Sequence, residues 1–122
     1  MKRAILLSAI LLGGCATLVN VIPPDDLTNT NIGETKVRLG MYLRQEGSLP
    51  KSLDVLPIRE GYDNETTDGW DRPLIYTVDE NGFTLKSLGK DGKAGGSGAD
   101  ADVTRKYILV DGQLLICRQR RI

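Results

Sequence analysis

The sequence predicts an α+β fold: one N-terminal amphipathic helix packed on a small antiparallel sheet of two hairpins. Three observations carry this. Ile32, Leu39 and Leu43, joined by Thr35 and Tyr42, recur at helical spacing. Two pairs of apolar runs follow, "PLIYTV" with "FTLKSL" and "KYILV" with "QLLIC". Each pair is joined by a short connection containing Asn-Gly or Asp-Gly, the chemistry of tight hairpin turns. The 122 residues suffice for one domain, and a helix laid on one face of a sheet is the simple way to bury both sets of apolar side chains.

The chain opens "MKRAILLSAILLGGC". Lys2 and Arg3 form a basic start, and Ala4 to Leu12 form an apolar core too short to span a bilayer. Residues 1–14 therefore read as an export signal. Cys15 directly follows two small residues and resembles the lipobox cysteine of bacterial lipoproteins, which becomes the lipidated first residue. An ordinary signal peptide with an incidental cysteine is the plainer alternative. Residues 15–26 read as lipid anchor and tether, with Pro23-Pro24 favouring extended backbone. Residues 27–122 make the folded domain.

The helix is expected to begin between Asp26 and Ile32, with Asn31 and Glu34 spaced as a capping box. Gly47 and then Pro50 mark its end. Gly33 and Gly40 each weaken it by up to about 1 kcal/mol relative to alanine, so tertiary packing must hold it. "SLPKSLDVLP" reads as a turn and a short helical turn, and "REGYDNETTDGW" as a polar loop. Asn64-Glu65-Thr66 matches a glycosylation sequon, which in a bacterial lipoprotein is chance. The first hairpin turns at "DENG"; the second turns at Asp111-Gly112, where a two-residue turn needs positive φ at both positions.

Composition excludes several functions. Without Lys2 and Arg3, fourteen basic residues face sixteen acidic ones, a net charge of −2 and no electrostatic footprint for nucleic acid. The terminal "RQRRI" reads as a solvated strand end. Cys15 and Cys117 are the two cysteines. If Cys15 is acylated, Cys117 in "QLLIC" is left as a buried free thiol, with intermolecular pairing as the alternative.

The stretch "SLGKDGKAGGSGADAD", residues 87–102, concentrates glycines and aspartates between two strands. It lacks the spacing of a P-loop or a dinucleotide fingerprint. The absence of histidine removes Ser-His and Cys-His catalysis. A small Ser-Lys hydrolase is the enzymatic alternative, since Ser87 to Lys90 matches S-x-x-K. Ser48 to Lys51 matches it too, and the companion S-D-N and K-T-G elements are missing. Paired carboxylates for sugar hydrolysis would want aromatic platforms that the loop does not have. Calcium suits the residue types best, because it takes carboxylate and backbone carbonyl oxygens together. A solvated glycine-aspartate loop satisfies the same composition and is, on composition alone, the plainer reading.

"LGMYLRQEGSLPKSLDVL", "DGWDRPLIY" and "FTLKSLGKDGKAGGSGADAD" together resemble the C-terminal domain of the type II secretion major pseudopilin, over roughly residues 35–103. That family carries a "D-x-W-G-x-P-Y" element and a "SLGxDGxxGGxGxxADI" loop that binds one calcium ion. The resemblance implies a pseudopilin-like fold without catalysis and a calcium site. Asp91 and Asp102 match family aspartates, Asp100 stands at a variable position able to give an oxygen, and Leu88 and Ser97 offer carbonyls. Trp70 and Pro73 match the "W-x-x-P" element, with Trp70 as a core anchor. Two departures stand out. The lipobox replaces the family's prepilin-peptidase site and long apolar spine, and Trp70-Asp71 replaces Trp-Gly.

The expectation is a lipid-anchored structural or interaction module with a calcium-stabilised loop. It would lie on the periplasmic side of a bacterial membrane, accessory to type II secretion or a pilus-like machine. Ala16 after Cys15, in place of aspartate, favours the outer membrane. Partners would be the membrane, through the lipid on Cys15, and secretion-machinery components, with no nucleic acid. A true pseudopilus subunit is the alternative.

Overall fold

The computed structural model describes residues 22–117, with side chains through Leu114. The expectations for residues 1–14, for Cys15 and for the terminal basic run lie outside the described residues, as does the Cys117 side chain. Helix α1 spans Pro24–Glu46. It is followed by a 3₁₀ turn at Leu53–Val55 and by strands β1 (Ile75–Val78), β2 (Gly82–Ser87), β3 (Val103–Val110) and β4 (Gln113–Cys117). A second 3₁₀ turn, Gly98–Asp100, lies inside the loop between β2 and β3. Among the described residues, no helix is long and apolar enough to cross a membrane.

The helix starts earlier than expected, three residues inside the segment read as tether. Pro24 occupies its first turn, where a missing N–H costs nothing, and Asp25 and Asp26 complement the positive end of the helix. Only Pro23 keeps the extended conformation, at φ −58° and ψ 142°. The Asn31–Glu34 capping box does not form. Asn31 is buried inside the helix and donates to the Thr67 carbonyl at 2.9 Å. Gly47 ends the helix as expected, at φ 81°, with its N–H on the Leu43 carbonyl at 2.8 Å.

The four strands form one antiparallel meander, β1-β2-β3-β4. The two expected hairpins are therefore joined: β2 also pairs with β3, from Gly82↔Ile108 to Ser87↔Val103. Strand β3 begins at Val103, earlier than "KYILV" suggested, because it follows β2 along its whole length. The Asp111-Gly112 turn has φ of 51° and 79°, the double positive φ that the dipeptide demands. At the other turn, Asp79 Oδ1 accepts the N–H groups of Asn81 and Gly82. The register sets the Cys117 backbone opposite Lys106, whose own side chain is exposed.

One face of the sheet packs on the helix. Ile32, Leu39, Leu56, Leu74, Phe83, Leu85 and Tyr107 form the core, with Phe83 stacked on Tyr107 at 5.0 Å between ring centroids. The helix contributes few apolar side chains to it. Thr28, Asn31, Thr35 and Arg38 are buried instead against the loop between α1 and β1. Arg38 is the main tie: it donates to the carbonyls of Pro57, Asn64 and Leu56. Burial lowers the pKa of its guanidinium. Asn64 is a left-handed residue of that loop, at φ 59°, and its side-chain amide is bonded to the backbone of Arg59 and Tyr62. An amide so engaged suits the reading of the sequon as chance. Trp70 is half-buried within this loop and does not belong to the closed core, a correction to its expected role as core anchor. The aromatic anchors of the core are Phe83 and Tyr107, because they stand on the central strands.

Candidate functional site

Residues 88–102 connect the paired ends of β2 and β3, so the loop is a long hairpin tip anchored on two central strands. Its backbone folds back on itself. Gly89, Gly92, Gly95, Gly96 and Gly98 all have positive φ. The crossing is tightest at Gly89: a Cβ there would lie 2.7 Å from the carbonyl oxygens of both Asp100 and Ala101. The Lys90 N–H donates to the Ala99 carbonyl at 2.8 Å, closing the two halves of the loop.

The structure places the expected site residues unequally. Asp102 turns into the loop, where Oδ1 accepts the Gly95 N–H at 3.1 Å and Oδ2 lies 3.5 Å from Lys86 Nζ. Asp100 is half-buried, and its carbonyl lies against Gly89 and Gly96. Asp91 is exposed and accepts the Lys93 N–H at 3.0 Å. The Ser97 carbonyl accepts the Asp100 N–H at 3.1 Å, opening the 3₁₀ turn. Leu88 is half-buried at the end of β2. Among the described residues, no three acidic side chains converge into a cluster. Asp102 and the Asp100–Ala101 backbone meet, while Asp91 stands apart at the surface. The donor set is all oxygen, which fits calcium. Binding by all three carboxylates would bring the exposed Asp91 to the ion, and the Lys93 N–H occupies only its Oδ1.

A second element supports this loop. Asp68, 2% exposed, accepts the N–H groups of Trp70 and Arg72 through Oδ1 at 2.9 and 3.0 Å. Asp68 Oδ2 accepts the Ser87 hydroxyl at 2.8 Å. The Asp68 N–H donates in turn to the Arg72 carbonyl, and Thr67 bridges Pro73, so residues 67–73 form a closed turn. Asp71 sits in it at φ 63°, a left-handed position that glycine fills without strain and aspartate tolerates better than most residues. That accounts for the Trp-Asp in place of Trp-Gly. From this turn Arg72 reaches the loop and donates to the carbonyls of Gly89 and Lys90.

The Ser-Lys reading loses its footing here. Ser87 is 2% exposed, and its hydroxyl is spent on Asp68 and on the Gly89 N–H. The sequence reading left Asp68 inside a polar loop and gave Arg72 no role. The available signal was Asp68 standing two residues before Trp70, the spacing at which a carboxylate caps its own turn.

The type II secretion system protein G family model matches residues 25–106, which takes in α1, the supporting turn, β1, β2, the whole loop and the start of β3. The chain belongs to this family. Among curated proteins, the type II secretion system core protein G of Xanthomonas campestris pv. campestris is 30% identical to it, over 81% of this chain and 82% of that protein. The protein G family match bears out the pseudopilin resemblance and a role related to type II secretion.

Proposed function

We propose that this protein G family chain is a non-catalytic structural module of a type II secretion or pilus-like machine. It would be anchored by a lipid on Cys15, on the periplasmic side and sorted to the outer membrane, with loop 88–102 stabilised by calcium. The observation that carries the reading is the reach of the family match, which includes the helix, the sheet and the whole glycine-aspartate loop. Asp102 and the Asp100–Ala101 backbone supply oxygens already directed into the loop. Asp91, Leu88 and Ser97 would complete the shell. Calcium supplies positive charge where carboxylates crowd a loop that glycines leave soft. The lipid anchor is supported by "LLGGC". A true pseudopilus subunit is the second reading, favoured by a similarity that extends over 82% of the Xanthomonas protein.

Three measurements test the proposal. Deleting the gene in its own bacterium should reduce the release of secreted proteins; secretion at wild-type level would refute the role. Mass spectrometry of the mature N-terminus should find a lipidated Cys15, and any other unmodified N-terminus refutes the anchor. Thermal unfolding of the full chain should differ between EDTA and millimolar calcium. At a free concentration of roughly 100 Kd the stabilisation is about 2.7 kcal/mol, a rise on the order of 10 °C. Asp102→Ala should erase that rise, and equal melting temperatures of the wild type in both buffers refute the calcium site.

A further inference from the structure

We infer that Arg72 is the positioning residue of the 88–92 end of the calcium loop, aimed by the buried carboxylate of Asp68. The inference rests on the calcium reading above for its consequence, but not for its geometry. Asp68 holds the Arg72 N–H with one oxygen and the Ser87 hydroxyl with the other. The Ser87 hydroxyl accepts the Gly89 N–H, and the Gly89 carbonyl accepts from Arg72. Asp68, Ser87, Gly89 and Arg72 thus close a ring of hydrogen bonds between the 67–73 turn and the loop. The second arm of the guanidinium holds the Lys90 carbonyl.

The chemistry suits arginine in particular. Two neighbouring carbonyls in one loop present their negative ends together, and a planar fork of N–H donors meets both at once. Gly92 completes the fit: its φ is +68°, and a Cβ there would lie 3.0 Å from Arg72 Cζ, so the loop wraps closely over the guanidinium. Arg72 therefore does for the carbonyls of Gly89 and Lys90 what a cation would do, and closes this end without a metal. Calcium is left to order the facing 100–102 segment, whose Asp100 and Ala101 carbonyls lie against Gly89 and where Asp102 turns into the loop. Its donors from Leu88 and Asp91 flank the two carbonyls that Arg72 holds, so their placement depends on Arg72.

The test is amide hydrogen exchange and calcium calorimetry on the full chain, in wild type, Arg72→Met, Arg72→Lys and Asp102→Ala. In EDTA, Arg72→Met should speed exchange at Gly89, Lys90 and Gly92 by about tenfold or more, while β2–β3 amides stay protected. It should weaken calcium binding by about tenfold through loss of pre-organisation. Arg72→Lys, a point charge that meets one carbonyl at a time, should restore part of both losses. Asp102→Ala should abolish calcium binding and leave exchange at 89–92 in EDTA unchanged. Unaltered 89–92 exchange in Arg72→Met overturns the assignment, as does faster exchange with unchanged calcium affinity. If the wild type binds no calcium, the calcium reading fails, and the exchange arm alone decides whether Arg72 holds the loop.

Discussion

Gly69→Ala should be among the most damaging single-methyl additions to this chain. Gly69 lies in the supporting turn, directly beneath the first turn of α1. A Cβ there would lie 1.9 Å from the Pro24 carbonyl oxygen and 2.5 Å from its carbon. Both are backbone atoms, so no rotamer change relieves the clash, and the gap is about 1.5 Å short of ordinary contact. Helix and turn must part. Separation breaks the bond from the Gly69 N–H to Thr28 Oγ1, now 2.8 Å long, and opens the fully buried Thr28 to water. Overpacking costs roughly 1–3 kcal/mol and the lost hydrogen bond about 1 kcal/mol. The sum predicts a melting temperature lower by on the order of 10–20 °C. Gly33→Ala is the matched control, since a Cβ at Gly33 meets nothing within 4 Å. Inside the helix it should stabilise by about 0.5–1 kcal/mol. Calorimetric melting of both variants decides the matter. A Gly69→Ala chain that melts within about 3 °C of wild type would refute the packing argument.

Alkaline titration gives a second test. Burial, with the neighbouring Tyr42, pushes the Tyr76 hydroxyl up to about 12 from the ordinary 10.0, and the hydroxyl donates to the Pro50 carbonyl at 2.7 Å. The folded state then keeps a proton that the unfolded chain releases, so stability is intact below pH 10 and falls as pH rises from 10 towards 12, by up to about 2 kcal/mol. Tyr76→Phe should cost about 1 kcal/mol at neutral pH and flatten much of that alkaline fall. Burial also raises Tyr107, which leaves a residual slope. Urea midpoints at pH 8 and pH 11 measure it, and an equally steep fall in Tyr76→Phe sinks the assignment. Arg38→Met should cost roughly 2–4 kcal/mol, because three carbonyls lose their donor. It should also open residues 57–64 to limited proteolysis, and an unchanged cleavage pattern with an unchanged urea midpoint would contradict it.

Local signals decided much of this fold in advance. The end of α1 at Gly47, the Asp111-Gly112 turn and the strand positions follow from residue chemistry that acts over a few neighbours. Of the stripe of Ile32, Leu39 and Leu43 with Thr35 and Tyr42, Ile32, Leu39 and Tyr42 do face the core, while Thr35 is buried against the α1–β1 loop and Leu43 is half-buried outside the core cluster. The residues quoted from 35 to 103 also sufficed to find the family, because glycines at forced backbone angles leave a sequence trace. Tertiary structure decided what depends on distant partners. Asn31 resembled a helix cap until Thr67 took its side chain. Arg38 carried no sequence signal of its own, and only the folded chain sets three carbonyls of the α1–β1 loop around it. Trp70 resembled a core anchor, yet the centre of the core belongs to Phe83 and Tyr107, which only the pairing of β2 with β3 brings together. The candidate site divides in the same way. Its glycines and aspartates were legible as a loop of oxygen donors. The ring from Asp68 through Ser87 and Gly89 to Arg72 was not, because polar residues far apart in sequence carry no periodic signal and meet only when the chain has folded.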